Sequence, residues 1–223
     1  VNFLSHFYLA SKLEAPFYHA GVSSPDWIGI FSGKGSNELK KIQHPETTTE
    51  NEKDFISGLI AHFQTDKAWH SSEYFNEKTI QLNEIFRKSL GPGKHRTFFL
   101  SHLWLELALD RMIVLNNPQV AENYYSQIGL VHAPELRKLI EQKGVPVGHK
   151  FEQYLNSFLM NKYLFQYGAM KGFRTAMEKT CIRVGLSPFS AFTQTQFEEL
   201  LSECDILIEK DFILGLESVP SLG

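Results

Sequence analysis

The chain has 223 residues, 43% hydrophobic and 13% aromatic, enough for one full hydrophobic core or at most two small ones. Its 22 basic residues against 25 acidic leave a net charge of −3, which argues against a general nucleic-acid binder and against a charge-driven disordered chain. Two cysteines, Cys181 and Cys204, exclude a disulfide framework and fit a reducing compartment. No apolar run approaches the ~20 residues of a membrane helix. Residues 1–6 carry no basic leader, so no signal peptide is expected and the expected location is cytoplasmic.

In chain order, Phe3-Leu4-Ser5-His6-Phe7-Tyr8-Leu9-Ala10 is an apolar, helix-like run interrupted by His6. Ser23-Ser24-Pro25-Asp26-Trp27-Ile28-Gly29 places Asp26 just after a proline, an order that predicts a helix start whose backbone N–H groups keep the carboxylate ionised. Residues 33–53 are polar and turn-rich and read as a long connection inside the domain. From Phe55 to Trp69 apolar residues recur at helical spacing. Helical signals continue over 74–89, 96–115, 117–128, 133–143, 150–167, 169–184 and 194–214. Breakers separate them: Gly91-Pro92-Gly93, Asn116-Asn117-Pro118, Gly144-Val145-Pro146 and the stretch from Gly185 to Pro188. Thr193 with Gln196 predicts a capping box. Strand signals are nearly absent, and 218–223 read as a frayed tail. The expectation is all-α: a single helical bundle over residues 1–217.

Two stripes of ionisable residues interrupt apolar helices. His62, Asp66 and His70 stand at i, i+4 and i+8 on one segment, and His102, Glu106 and Asp110 repeat the spacing on another whose other positions are almost all apolar. Buried charges must pair, hydrogen-bond or hold a cation. Eight residues of helix rise about 12 Å, so one ion cannot touch both ends of a stripe, whereas adjacent members can converge on one ion or on a two-ion site. Taken singly, each of these residues reads as a satisfied core histidine or a solvated carboxylate; His70 begins a polar run and Glu106 could pair with Arg111. Taken together with His6 and Asp26, they favour a metal site between helices. The remaining histidines (His19, His44, His95, His132, His149) sit in polar or turn contexts and are read as uninvolved. There is no phosphate loop, no nucleophile elbow, no His-Glu-x-x-His and no Cys-x-x-Cys. Arg87, Lys88, Lys94, His95 and Arg96 form a basic patch that can receive an acidic partner.

These segments resemble the acyl carrier protein phosphodiesterases, an all-α family related to the HD-type metal phosphohydrolases. The resemblance rests on Asn2-Phe3-Leu4-Ser5-His6, on Asp26 at the spacing of a metal-binding aspartate, and on Gly58-Leu59-Ile60-Ala61-His62 with Asp66. It extends to the stripe ending in Asp110 and to Tyr163, Tyr167 and Arg183. Phe63 stands where the family has an arginine, Glu106 replaces an aspartate, and Arg111 replaces a histidine. The resemblance implies an HD-like fold and manganese-dependent release of the phosphopantetheine arm from acyl carrier protein. His6, Asp26, His62, Asp66, His102 and Asp110 would be the ligand candidates. Asp26, Asp66 and Glu106 would serve catalysis, with Arg183, Tyr167 and His70 at the phosphate or substrate. A zinc phosphohydrolase of the phospholipase C or nuclease type, and a helical scaffold that has lost its chemistry, are the alternatives.

Overall fold

A computed structural model describes residues 2–10, 14–32, 36–40, 49–91 and 96–219. Among the described residues eleven α-helices run in chain order: α1 (Phe3–Leu9), α2 (Pro16–Ser32), α3 (Glu50–His70), α4 (Glu73–Leu90), α5 (Thr97–Asn116), α6 (Pro118–Gly129), α7 (Ala133–Gln142), α8 (His149–Asn161), α9 (Met170–Arg183), α10 (Gln194–Glu209) and α11 (Phe212–Glu217). Short 3₁₀ turns cover Ser36–Lys40 and Tyr163–Gly168, and no strand occurs among the described residues. The protein is all-helical, and none of these helices is long and apolar enough to cross a membrane.

The helix ends follow local chemistry. The Thr49 hydroxyl accepts from Glu52 N and starts α3, so the polar connection ends four residues earlier than the sequence suggests. Ser72 caps α4 in the same way, which leaves His70 as the last residue of α3. The capping box of Thr193 and Gln196 opens α10. Two expected long helices are split instead. Lys162 takes a left-handed conformation (φ 41°) and turns the chain from α8 into the second 3₁₀ turn. Asp211 breaks the run after α10, where its carboxylate lies 2.8 Å from the buried Lys78 ammonium. Of the expected frayed tail, Ser218 and Val219 are hydrogen-bonded to Leu214 and Leu216, with Val219 buried; 220–223 lie outside the described residues.

Helix α5 is central, as its nearly unbroken apolar circumference predicts. Its Trp104 ring packs against Phe86, Phe173, Phe189 and Phe197 from α4, α9, α10 and the loop between the last two. A second aromatic group joins Phe3, Trp27, Tyr124 and Phe158 from α1, α2, α6 and α8. Arg111 braces α5: its guanidinium reaches the Asp205 carboxylate at 3.0 Å and the carbonyls of Tyr167 and Gly168. It therefore does not pair with Glu106.

Two contacts fix the helices that carry the polar stripes. Helices α2 and α3 cross backbone to backbone, because a Cβ on Gly21 would fall 2.1 Å from the Phe55 oxygen and one on Gly58 2.0 Å from the Tyr18 oxygen. Helix α1 is capped from across the fold. Asn2 makes no side-chain cap bond, and instead Leu4 N, Ser5 N and the Ser5 hydroxyl donate to the Asp110 carboxylate at 3.1, 2.8 and 2.8 Å. That placement corrects the expectation for Asp110 as a metal ligand: its oxygens are engaged by three donors at a helix N-terminus.

Asp110→Ala is expected to lower stability by roughly 2–4 kcal/mol in urea unfolding, because buried amide groups of α1 lose their acceptor. Hydrogen exchange at Leu4 and Ser5 should rise with it; unchanged stability would refute the capping role. Gly58→Ala should cost about 3 kcal/mol through forced separation of α2 and α3, and a melting temperature equal to wild type would contradict that close approach.

Candidate metal centre

The crossing of α2 and α3 positions the first histidine. His62 on α3 points its Nδ1 at the Val22 carbonyl, 2.8 Å away. A carbonyl only accepts, so Nδ1 carries the proton and the lone pair of the neutral ring is on Nε2. That nitrogen lies 3.4 Å from Asp66 Oδ2, one turn along the same helix. Helix α1 brings His6 over it: the two imidazoles stack with centroids 4.1 Å apart, and His6 Nε2 lies 3.2 Å from Asp66 Oδ1. His6 Nε2 is nevertheless off the line of a hydrogen bond and has none. His6 and His62 are buried, whereas the Asp66 side chain is 30% exposed, so the group opens outward on its carboxylate side.

Electrostatics fit a cation at this point. Burial, with the neighbouring His62 charge, pushes the His6 imidazole down to about 3, so it is a neutral base at ordinary pH. Burial also disfavours charge on Asp66, but the adjacent imidazoles of His6 and His62 hold its carboxyl well below the usual range. His62 is raised: its burial is outweighed by Asp66 and Asp26. One ligand atom from each of His6, His62 and Asp66 falls within 4.8 Å of the other two. Two imidazole nitrogens, once His62 gives up its Nε2 proton, and a carboxylate oxygen are ligands for Mn, Fe, Ni or Zn. The Val22 carbonyl supplies the outer hydrogen bond that metal-binding histidines ordinarily make.

Asp26 stands beside this group, though not where its neighbours in sequence suggest. Pro25 lies inside α2 rather than at its start, so no helix N-terminus holds the carboxylate ionised. Burial instead pushes it up to about 7, partly offset by His62, and its Oδ2 has no hydrogen-bond partner. The orphaned His6 nitrogen next to Asp66 is a group that a cation would satisfy.

The other stripe members meet elsewhere. His70 at the end of α3, with His102 and Glu106 on α5, forms a second group whose ligand atoms also lie within 4.8 Å of one another. The separation of stripe ends expected from helix rise is thus what the structure has: His62 and His70 belong to different groups, and Asp110 does not join the group of His102.

Tyr167 and Arg183 line a cavity of about 230 Å³ together with Ile30, Tyr154, Tyr163 and Lys179. Ile30 is one turn beyond Asp26 on α2, and both Asp26 and Arg183 act electrostatically on the Tyr154 phenol, which burial raises far above its ordinary range. The Tyr154 hydroxyl is buried without a partner. Sequence reading missed Tyr154, whose only signal was an aromatic position in an amphipathic helix. It also misread His19, which is buried in α2 and packs its ring 4.6 Å from Phe7. Among the other histidines, His132 and His149 are exposed, while His44 and His95 lie outside the described residues, as do Lys94 and most of the basic patch's turn.

No family model matches this chain, and neither a curated protein nor a solved structure matches it.

Asp26 generates a pH signature. It ionises near 3.8 in the unfolded chain and near 7 in the cation-free fold. Between those values the unfolded chain has released a proton that the folded chain retains, so stability falls as pH rises from about 4 to 7 and is level above. The full difference is on the order of 4 kcal/mol. Asp26→Asn is therefore expected to be more stable than wild type at pH 8, with the gap closing near pH 4, in denaturant unfolding without divalent ions. A variant no more stable than wild type at pH 8 would contradict this.

Proposed function

We infer that the protein is a metal-dependent phosphodiesterase, with His6, His62 and Asp66 holding one divalent cation. The observation that supports this most is the fixed tautomer of His62: its Nδ1 proton is committed to Val22, leaving Nε2 to face His6 and Asp66. A bound divalent ion supplies Lewis-acid polarisation of a phosphoryl oxygen and a lowered water pKa.

The chain's own groups then have distinct tasks. His6 and His62 present nitrogens from a buried floor, and Asp66 closes the solvent side. Asp26 Oδ2, free of hydrogen bonds beside this group, accepts the proton of the attacking water. Phe63 packs edge-on to His62 and supplies no cation. The positive charge for a phosphate comes instead from Lys179 and Arg183, on the wall of the cavity beside α2. Tyr154, Tyr163 and Tyr167 line the same cavity.

Release of phosphopantetheine from acyl carrier protein, with manganese, is the specific form of this reading. It draws support from the resemblance of the His6, Asp26, His62 and Asp66 segments to that family. Exposed Arg87 and Lys88 at the end of α4, with Arg96 at the start of α5, offer an acidic carrier protein a surface. An HD-like arrangement and a cytoplasmic location belong to the same reading.

The test is hydrolysis of bis(p-nitrophenyl) phosphate, and of a carrier protein bearing its phosphopantetheine arm, with Mn²⁺ in excess. Asp66→Asn should lose at least 100-fold in rate together with its cation. Asp26→Asn should keep the cation and lose a comparable factor. Full rate in Asp66→Asn overturns the proposal; full rate in Asp26→Asn removes that residue from proton transfer.

A further inference from the structure

The second polar group has the geometry of a metal face in its own right. His70 Nε2 and His102 Nε2 are 3.1 Å apart, His70 Nε2 and Glu106 Oε1 are 3.1 Å apart, and His102 Nε2 and Glu106 Oε1 are 3.0 Å apart. Three heavy atoms in a nearly equilateral triangle cannot all be joined by linear hydrogen bonds, because each N–H can aim at only one other corner. A cation above the triangle can satisfy all three. With bonds of about 2.1 Å, adjacent ligands are about 3.0 Å apart on an octahedron and about 3.4 Å apart on a tetrahedron. The observed edges are those of an octahedral face.

The surroundings hold that face in place. Phe75 at the start of α4 stands edge-on to both imidazoles, with centroids 5.0 Å from His70 and 5.1 Å from His102. His102 and Glu106 are one turn apart on the rigid central helix, and His70 arrives from the end of α3. The three side chains are 17–36% exposed, so the opposite face is open to water or an oxygen ligand.

We propose that His70, His102 and Glu106 form a second cation site, taking one first-row divalent ion of the Mn²⁺ or Fe²⁺ class on an octahedral face and leaving three positions open. Two histidines and one carboxylate on a single face suit such an ion better than a closed tetrahedral zinc site. The site shares no ligand with the group of His6, His62 and Asp66, so it stands or falls separately from the hydrolytic reading.

The experiment is cation stoichiometry on the full chain, stripped with chelator, dialysed against Mn²⁺ and read by elemental analysis. Wild type should hold two equivalents per chain; His102→Ala and Asp66→Asn should each hold one, and the double variant none. Adding Mn²⁺ to Asp66→Asn should still raise its melting temperature, an effect lost in the double variant, which guards against misfolding of any single variant. A single equivalent in wild type that His102→Ala retains and Asp66→Asn loses would overturn the second site and leave the first intact. Two equivalents of which His102→Ala loses neither would overturn it as well.

Discussion

The site depends on the contact between α2 and α3 at Gly21 and Gly58. With no Cβ at either position, the two backbones approach closely enough for the Val22 carbonyl to accept the His62 Nδ1 proton. A larger residue at either glycine would push the helices apart and release that ring. The hydrogen bond then decides which nitrogen faces Asp66, so a packing constraint becomes a statement about available ligands. The same crossing keeps Asp26, on α2, near Asp66 on α3.

Asp110 is the counterpart on the other side. It donates no ligand to the candidate centres, yet it caps the helix that carries His6, and thereby fixes the third member of the first group. Burial pushes its carboxyl up to about 6 even with three donors around it. The fold thus tolerates a run of partly compensated buried charge along α5: Glu106 in the second triangle, Asp110 on α1, and Arg111 on Asp205. Each is matched to a different neighbour, which is why a stripe that looks uniform in sequence serves two separate purposes, with Arg111 beside it serving a third.

What was legible in the chain follows from this. Helical periodicity located the elements, and the i, i+4, i+8 stripes picked out all the side chains of both triangles except His6, which an apolar run exposed. The rise per residue was enough to show that neither stripe could serve one ion. What escaped were relations with no local signal. A carboxylate capping a helix 105 residues away leaves no trace at either end. Pro25 looks like a helix start because proline favours the first helical turn, yet it lies inside α2. Arg111 reads as a departure from a motif until Asp205 and two carbonyls are seen to meet it. Tyr154 is set apart only by its tertiary setting, a buried hydroxyl beside a cavity.

The most direct test of the central claim is electron spin-echo spectroscopy of Mn²⁺ bound to the His102→Ala protein, in which only the first group remains. Nitrogen modulation from imidazole, weakened when His62 is replaced by Gln and lost when His6 is replaced as well, is the result this account predicts. Modulation from solvent protons alone, unaffected by that replacement, would contradict it.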